Sequence, residues 1–315
     1  MALRDCRIVF MGTPDFAVAI LDKLVIEGCQ IVAVITAPDK PAGRGMQLTP
    51  SAVKKYALEK GLPILQPAKL KDPQFLEALA TLKADLQVVV AFRMLPELVW
   101  NMPPLGTINL HASLLPQYRG AAPINWAIIH GEKETGVTTF KLQHVIDTGD
   151  ILMQQALPIR EDETAGELHD EMKMMGADLM HQTLLRYTSG ELHPFPQADL
   201  GDPDKLPTAP KIHTDTCRID WNTSAESVYN LIRGLSPYPA AFTQLDGKLL
   251  KIFKATIQSS NELPSPGTYQ SDGKSFLRFA ATNGWLYLKD IQLEGKKRMG
   301  VEDFLRGYRV ANTTN

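Results

Sequence analysis

The chain has 315 residues, 44% of them hydrophobic and 22% charged, with a formal net charge of −2. That composition excludes a disordered or fibrous protein, and the length predicts two domains, each able to bury a core of its own. Charge is divided unevenly: from position 209 onward 14 Lys and Arg stand against 10 Asp and Glu, a net of +4 that leaves −6 for residues 1–208, so the two parts are expected to meet different partners. Cys6, Cys29 and Cys217 are odd in number and lack C-x-x-C spacing, which predicts neither a disulfide framework nor a cysteine-built zinc site and fits a reducing cytosol. Met1 to Arg7 has no basic segment leading into an apolar one, and no run of about 18 apolar residues follows, so export and membrane spanning are not expected.

The first elements read as strand, turn and helix: the apolar run 6–11 ends at Gly12, Thr13-Pro14-Asp15 supplies a helix start, and Phe16 to Leu24 carries helix-period apolar positions. Gln30 to Thr36 reads as a strand, Ser51 to Lys60 as a helix, and Leu86 to Ala91 and Gly106 to Leu110 as two more strands. Nearly continuous apolar strands alternating with helices predict a parallel sheet covered on both faces. Between the second strand and its helix, Ala37 to Pro50 is rich in Gly and Pro and reads as a long exposed loop. Its Lys40 and Arg44 suit an anionic partner.

From Thr164 a long amphipathic helix is expected, opened by the capping-box pair Thr164 and Glu167 and burying Leu168, Met172, Met175, Leu179 and Leu184. Gly190 to Pro210 holds Pro194, Pro196, Pro203, Pro207 and Pro210, a composition that stiffens a connecting segment. The boundaries drawn are therefore 1–189, a linker over 190–208, and 209–315. In the last part a short helix follows Thr223 and Glu226, and alternating runs near 239–257, 276–280 and 285–293 separated by Gly-containing turns predict a small barrel.

Two polar clusters interrupt the apolar pattern. Asn109 and His111 stand two apart at a strand end, so an extended backbone turns both side chains to one face at the carboxyl edge of the sheet, where such folds place ligands. They can bind a carbonyl oxygen together, or serve as a turn cap and a satisfied core histidine. Val145-Ile146-Asp147-Thr148-Gly149-Asp150 puts two carboxylates beside a glycine, and Asp147 can orient His111, since a carboxylate beside an imidazole fixes its tautomer. As a bare turn the same residues are common. No G-x-x-x-x-G-K-[ST], G-x-G-x-x-G after the first strand, H-E-x-x-H or G-x-S-x-G occurs, which weighs against P-loop, zinc-protease and serine-esterase chemistry. No metal is expected. Lys296, Lys297 and Arg298 supply much of the late basic excess, and either remain solvated or contact phosphate.

Asn109-x-His111-x-Ser113-Leu114-Leu115-Pro116, then Tyr118-Arg119-Gly120, then Asp147-Thr148-Gly149-Asp150 resembles the folate-dependent formyltransferases, with Asn109, His111 and Asp147 matching their catalytic triad. Three further segments resemble the branch that acts on methionyl-tRNA: Phe10-Met11-Gly12-Thr13-Pro14-Asp15-Phe16, Pro38 to Gly45, and Met299 to Tyr308. The resemblance implies a Rossmann-like catalytic domain, a linker and a C-terminal OB-like domain. It also implies 10-formyltetrahydrofolate as co-substrate and initiator methionyl-tRNA as partner, giving N-formylmethionyl-tRNA for translation initiation. A cytoplasmic monomer is expected.

By the same resemblance the folate lies against Phe92, Arg93, Met94 and Leu95, against Ser113, Leu114, Leu115 and Pro116, and against Val145 and Ile146. The tRNA meets Lys40 and Arg44 in the loop and Lys296, Lys297 and Arg298 in the last domain. The chain departs from the pattern with Met46 and Gln47 where lysines are usual, and with Arg93 where glycine is more frequent. Competing readings are a formyltransferase for a small amine, a formyltetrahydrofolate hydrolase, and a nucleic-acid-binding module on an inactive scaffold.

Overall fold

A computed structural model of the chain describes residues 1–42, 47–202, 205–260 and 262–311. They divide into two compact units, one of Met1–Gly120, Thr135–Leu157 and His169–Thr208, the other of Ala121–Glu134, Pro158–Leu168 and Ala209–Asn315. The proline-rich stretch 190–208 thus lies inside the first unit, and two earlier segments, 121–134 and 158–168, belong to the second.

In the first unit the elements follow in the order β1 (Arg7–Gly12), α1 (Asp15–Ile26), β2 (Gln30–Ile35), β3 (Lys40–Ala42), β4 (Gln47–Thr49), α2 (Ala52–Glu59), β5 (Ile64–Leu65), α3 (Pro73–Thr81), β6 (Leu86–Val90), α4 (Glu97–Trp100), β7 (Thr107–His111) and β8 (Arg119–Gly120). α5 (Pro123–Ile129) belongs to the second unit, and β9 (Glu134–Lys141), β10 (Ile151–Pro158) and α6 (Ala165–Ser189) come next. The main sheet runs β10-β9-β7-β6-β1-β2-β5. Its five strands from β5 to β7 pair in parallel, as expected, while β9 lies antiparallel to β7. Ser51 and Asp72 cap α2 and α3 by accepting from Lys54 N and Gln74 N at 3.0 and 2.9 Å.

One core of this unit gathers Val9, Met11, Ala33, Ile35, Leu70, Phe75, Leu79, Val89 and Val99. Gly12 at the end of β1 has no room for a side chain: a Cβ there would stand 2.6 Å from that of Ala17, so glycine lets α1 start close against the strand. The stretch 37–50, expected as a loop, carries an antiparallel ribbon in which Lys40 pairs with Thr49 and Pro41 with Leu48. Arg44, assigned to tRNA in the sequence, lies outside the described residues.

The second unit contains β11 (Thr208–Ala209) at its border, α7 (Ala225–Gly234), β12 (Ala241–Leu245), β13 (Lys248–Ser259), β14 (Tyr269–Ser271), β15 (Leu277–Ala280), β16 (Gly284–Leu293), β17 (Met299–Gly300) and α8 (Val301–Arg306). Strands β12 to β17 form one antiparallel sheet, β12-β13-β16-β15-β14 with β17 on β16. The expected small barrel is a curled sheet that keeps β12 and β14 as edges. Its core includes Val228, Ile232, Leu250, Ile252, Leu286 and Phe304, with Trp221 stacked on Phe279 at 4.8 Å. Among the described residues no helix is long and apolar enough to cross a membrane.

Candidate active site

β7 sets the geometry. Leu110 faces α6, where a Cβ on Gly176 would meet its Cδ2 at 2.6 Å, so Asn109 and His111 take the other face of the strand. His111 is buried and Asn109 half-buried. The Asn109 carboxamide has no hydrogen-bond partner among the described residues, which leaves both its donors and its acceptor for a ligand.

The imidazole is held from both sides. Its Nε2 lies 2.9 Å from the Tyr118 carbonyl oxygen and donates to it, which turns Nδ1 toward Asp147 Oδ2 at 3.8 Å. The latter gap is longer than a hydrogen bond. The ring's hydrogen bond is therefore to Tyr118, and Asp147 stands at ion-pair distance on the other side. Asp147 itself is buried, and its Oδ2 accepts from Gly120 N at 3.0 Å, which leaves Oδ1 without a partner among the described residues. Both residues that flank the ring, Tyr118 and Asp147, have left-handed backbones with φ of 58° and 54°.

The segment between β7 and β8 is fixed by Thr138, whose hydroxyl accepts from Leu115 N at 3.1 Å and donates to the Ser113 carbonyl at 2.6 Å. Ser113 Oγ donates to Gln117 O at 2.7 Å and Gln154 Nε2 to Leu115 O at 2.8 Å. Ser113, Leu115 and Pro116 are consequently buried and Leu114 half-buried: they shape the turn that delivers Tyr118 to the imidazole.

Of the other residues assigned to folate, Arg93, Met94 and Leu95 line a cleft of about 560 Å³ together with Leu70, Lys71, Pro96, Glu97, Leu98 and His144. Phe92, half-buried, precedes them, and Val145 and Ile146 follow His144 with 63% and 55% of their surface exposed. Met94 and Leu98 are likewise exposed. The cleft sets apolar side chains beside four ionisable ones, Lys71, Arg93, Glu97 and His144, and its volume lies within the range of small-ligand sites. The Arg93 guanidinium hydrogen-bonds the carbonyls of Pro67 and Ala68, and its buried Nε has no partner among the described residues. Burial pushes its pKa down. Among the described residues no group of three or more His, Cys, Asp or Glu could hold a metal.

One residue of this site has no warning in the sequence. Gln197, in a 3₁₀ turn Gln197–Leu200, is 3% exposed, and its Nε2 donates to the carbonyls of Asp147 and Gly149, both at 2.8 Å. A lone glutamine in a proline-rich stretch carries no spacing signal that could have found it.

The basic residues assigned to tRNA fall in both units. Lys40 is exposed on β3. In the turn between β16 and β17, Lys296 and Lys297 are exposed, while Arg298 hydrogen-bonds Asp290 and lies over the Phe253 ring at 4.1 Å.

Known proteins resemble the chain over nearly its whole length. The family model described as "Formyl transferase" matches residues 6–184, and "Formyl transferase, C-terminal domain" matches 211–309. A methionyl-tRNA formyltransferase of Bacteroides thetaiotaomicron is 51% identical over 318 residues, covering 99% of this chain and 98% of the relative. That of Parabacteroides distasonis is 54% identical over 316 residues, covering 98% of each. Among solved structures, HypX from Aquifex aeolicus in complex with tetrahydrofolic acid shares the fold with a TM-score of 0.65 at 18% identity, and the match takes in 98% of this chain but 48% of that one. On both family models and on full-length relatives at half identity, the chain belongs to the formyl transferase family, among the methionyl-tRNA formyltransferases.

Proposed function

We propose that the chain transfers the formyl group of 10-formyltetrahydrofolate to the free α-amine of methionyl-tRNA, and that Asn109, His111 and Asp147 carry the step. The observation that supports this most is the unpartnered Asn109 carboxamide on the same strand face as a His111 ring anchored at Nε2 and turned with Nδ1 toward Asp147. Asn109 donates to the formyl oxygen as it becomes an oxyanion, and the protonated His111 ring donates from Nδ1. Donors preset at developing charge contribute about 2.7–4 kcal/mol each. The amine nitrogen forms its bond to the formyl carbon, the bond from that carbon to N10 breaks, and the proton lost by the amine ends on N10. Asp147, whose Oδ1 has no hydrogen-bond partner among the described residues, accepts that proton in passing. An α-amine titrates near pH ~8, so a usable fraction is already nucleophilic at neutrality.

In this reading the folate lies in the cleft of Arg93, Met94 and Leu95. The Arg93 guanidinium holds the wall of that cleft through the carbonyls of Pro67 and Ala68. The unit that holds Asn109, His111 and Asp147 carries the chemistry, with the stretch 190–208 folded into it, and 209–315 engage tRNA, with Lys296 and Lys297, and Lys40 of the first unit, as the solvated cations for phosphate. A single chain holds every residue the step uses, which supports a working monomer. Unpaired Cys6, Cys29 and Cys217 suit the reducing cytoplasm. The test is to offer the purified full chain 10-formyltetrahydrofolate with methionyl-tRNA or with small amines, glycinamide ribonucleotide and amino-sugar nucleotides. Formyl on methionyl-tRNA is expected; formylation of a small amine alone would replace this reading with that of a small-amine formyltransferase.

A further inference from the structure

Gln197 uses every hydrogen-bonding position that a carboxamide has. Its two N–H groups go to the carbonyls of Asp147 and Gly149 at 2.8 Å each, and its Oε1 accepts from Arg119 Nε at 3.0 Å and Nη2 at 2.5 Å. With all four positions taken and 3% of its surface exposed, it has nothing left with which to touch a substrate.

What it holds is a turn that would not keep its shape unaided. Asp147 has φ of 54°, a left-handed conformation that a residue with a Cβ keeps only when its surroundings impose it. Two positions on, a Cβ at Gly149 would lie 1.8 Å from the Lys141 carbonyl oxygen. The Gln197 amide bridges the carbonyls on either side of Thr148 and so fixes the direction of the Asp147 side chain. The same proline-rich stretch reaches the opposite side of the imidazole, where Pro207 O accepts from Tyr118 N at 2.6 Å. Tyr118 O in turn receives His111 Nε2.

We propose that Gln197 is a positioning residue for formyl transfer, clamping the Asp147 turn so that its carboxylate stands opposite His111 Nδ1 before substrates arrive. This rests on the role given to Asp147 above. Preset geometry lowers the barrier of the chemical step and leaves substrate affinity unchanged.

The test is a double-mutant cycle on the full chain with Gln197→Met, Asp147→Asn and both together, reading kcat and KM for each substrate. Gln197→Met keeps the volume and removes every hydrogen bond. It should lower kcat roughly 10- to 100-fold while either KM moves less than about threefold. In the Asp147→Asn background the same change should cost less than about threefold, because two residues that act as a unit are not additive.

Equal costs of Gln197→Met in both backgrounds, an unchanged kcat, or a raised KM alone would overturn the proposal. Should Gln197→Met not fold, Gln197→Glu keeps the length and the acceptor for Arg119 but offers no N–H to the two carbonyls, with the same expectation. Failure of both to fold would assign Gln197 to stability and reject the positioning role. Full turnover by Asp147→Asn alone would instead remove the role of Asp147, an outcome read without any Gln197 variant.

Discussion

Asn109, His111 and Asp147 stand out in the sequence because each is a polar side chain set into apolar surroundings at a strand end or beside a glycine, where burial demands a partner or a purpose. What the sequence could not show is which groups hold them. Tyr118 acts through its backbone carbonyl, which any residue possesses, and Gln197 reaches the site across 50 residues to Asp147 and 78 to Arg119. Such distances leave no periodicity to read. Gly149 was visible as a turn residue, but the reason for it is steric: its Cα lies so close to the Lys141 carbonyl that a Cβ would overlap the oxygen. Gly149→Ala should push the Asp147 turn outward at a cost of about 1–3 kcal/mol in stability and lower kcat with it, measured by urea unfolding and by turnover of the same preparation. Unchanged values for both would contradict the packing described here.

Elements with local signals were legible from their own residues. Thr164 and Glu167 form the expected capping box: Thr164 N and Oγ1 donate to Glu167 Oε2 at 2.9 and 2.7 Å, and Glu167 N donates to Thr164 Oγ1 at 3.3 Å. The Thr164 backbone N–H first, and its hydroxyl second, hold the Glu167 carboxyl below its ordinary value of 4.5. A depressed carboxyl stabilises the fold above the unfolded value, and that contribution disappears as the pH falls through the folded one. Thr164→Ala should therefore cost about 1 kcal/mol at neutral pH, and its difference from the unsubstituted chain should narrow as the pH drops below 4.5, followed by thermal unfolding across that range. A constant difference would mean that the cap does not depend on the carboxylate.

Elements without local signals were missed. The β3–β4 ribbon hides behind Pro41 and two glycines that read as breakers, although an isolated two-stranded ribbon tolerates proline. β9, which lies antiparallel to β7, has six consecutive buried positions, Thr135 to Phe140, but three of them are threonines, so its residues show neither an apolar run nor a period-two alternation. At α7 the cap is Ser224, which accepts from Ser227 N at 3.1 Å, and not the neighbouring Thr223.

At the scale of the molecule, the division of charge gains a physical assignment. The surplus of four positive charges lies in residues 209–315, beyond the residues that surround His111. A phosphate backbone is the partner such a surplus suits, and its binding should weaken steeply as salt rises. Lys296→Ala and Lys297→Ala should each lower the slope of log affinity against log salt by about 1. Arg298→Ala should lower it less, because that guanidinium already lies on Asp290. Titration of methionyl-tRNA at several salt concentrations reads all three. A slope indifferent to these lysines would move the tRNA contact elsewhere on the chain.

The most direct test of the central claim is single-turnover formyl transfer from 10-formyltetrahydrofolate to methionyl-tRNA, comparing the unsubstituted full chain with Asn109→Ala under saturating substrates. The geometry predicts N-formylmethionyl-tRNA from the first and a rate on the order of 100-fold lower from the second, the loss of one donor to the oxyanion. Equal rates from the two proteins, or no transfer from the unsubstituted chain, would contradict it.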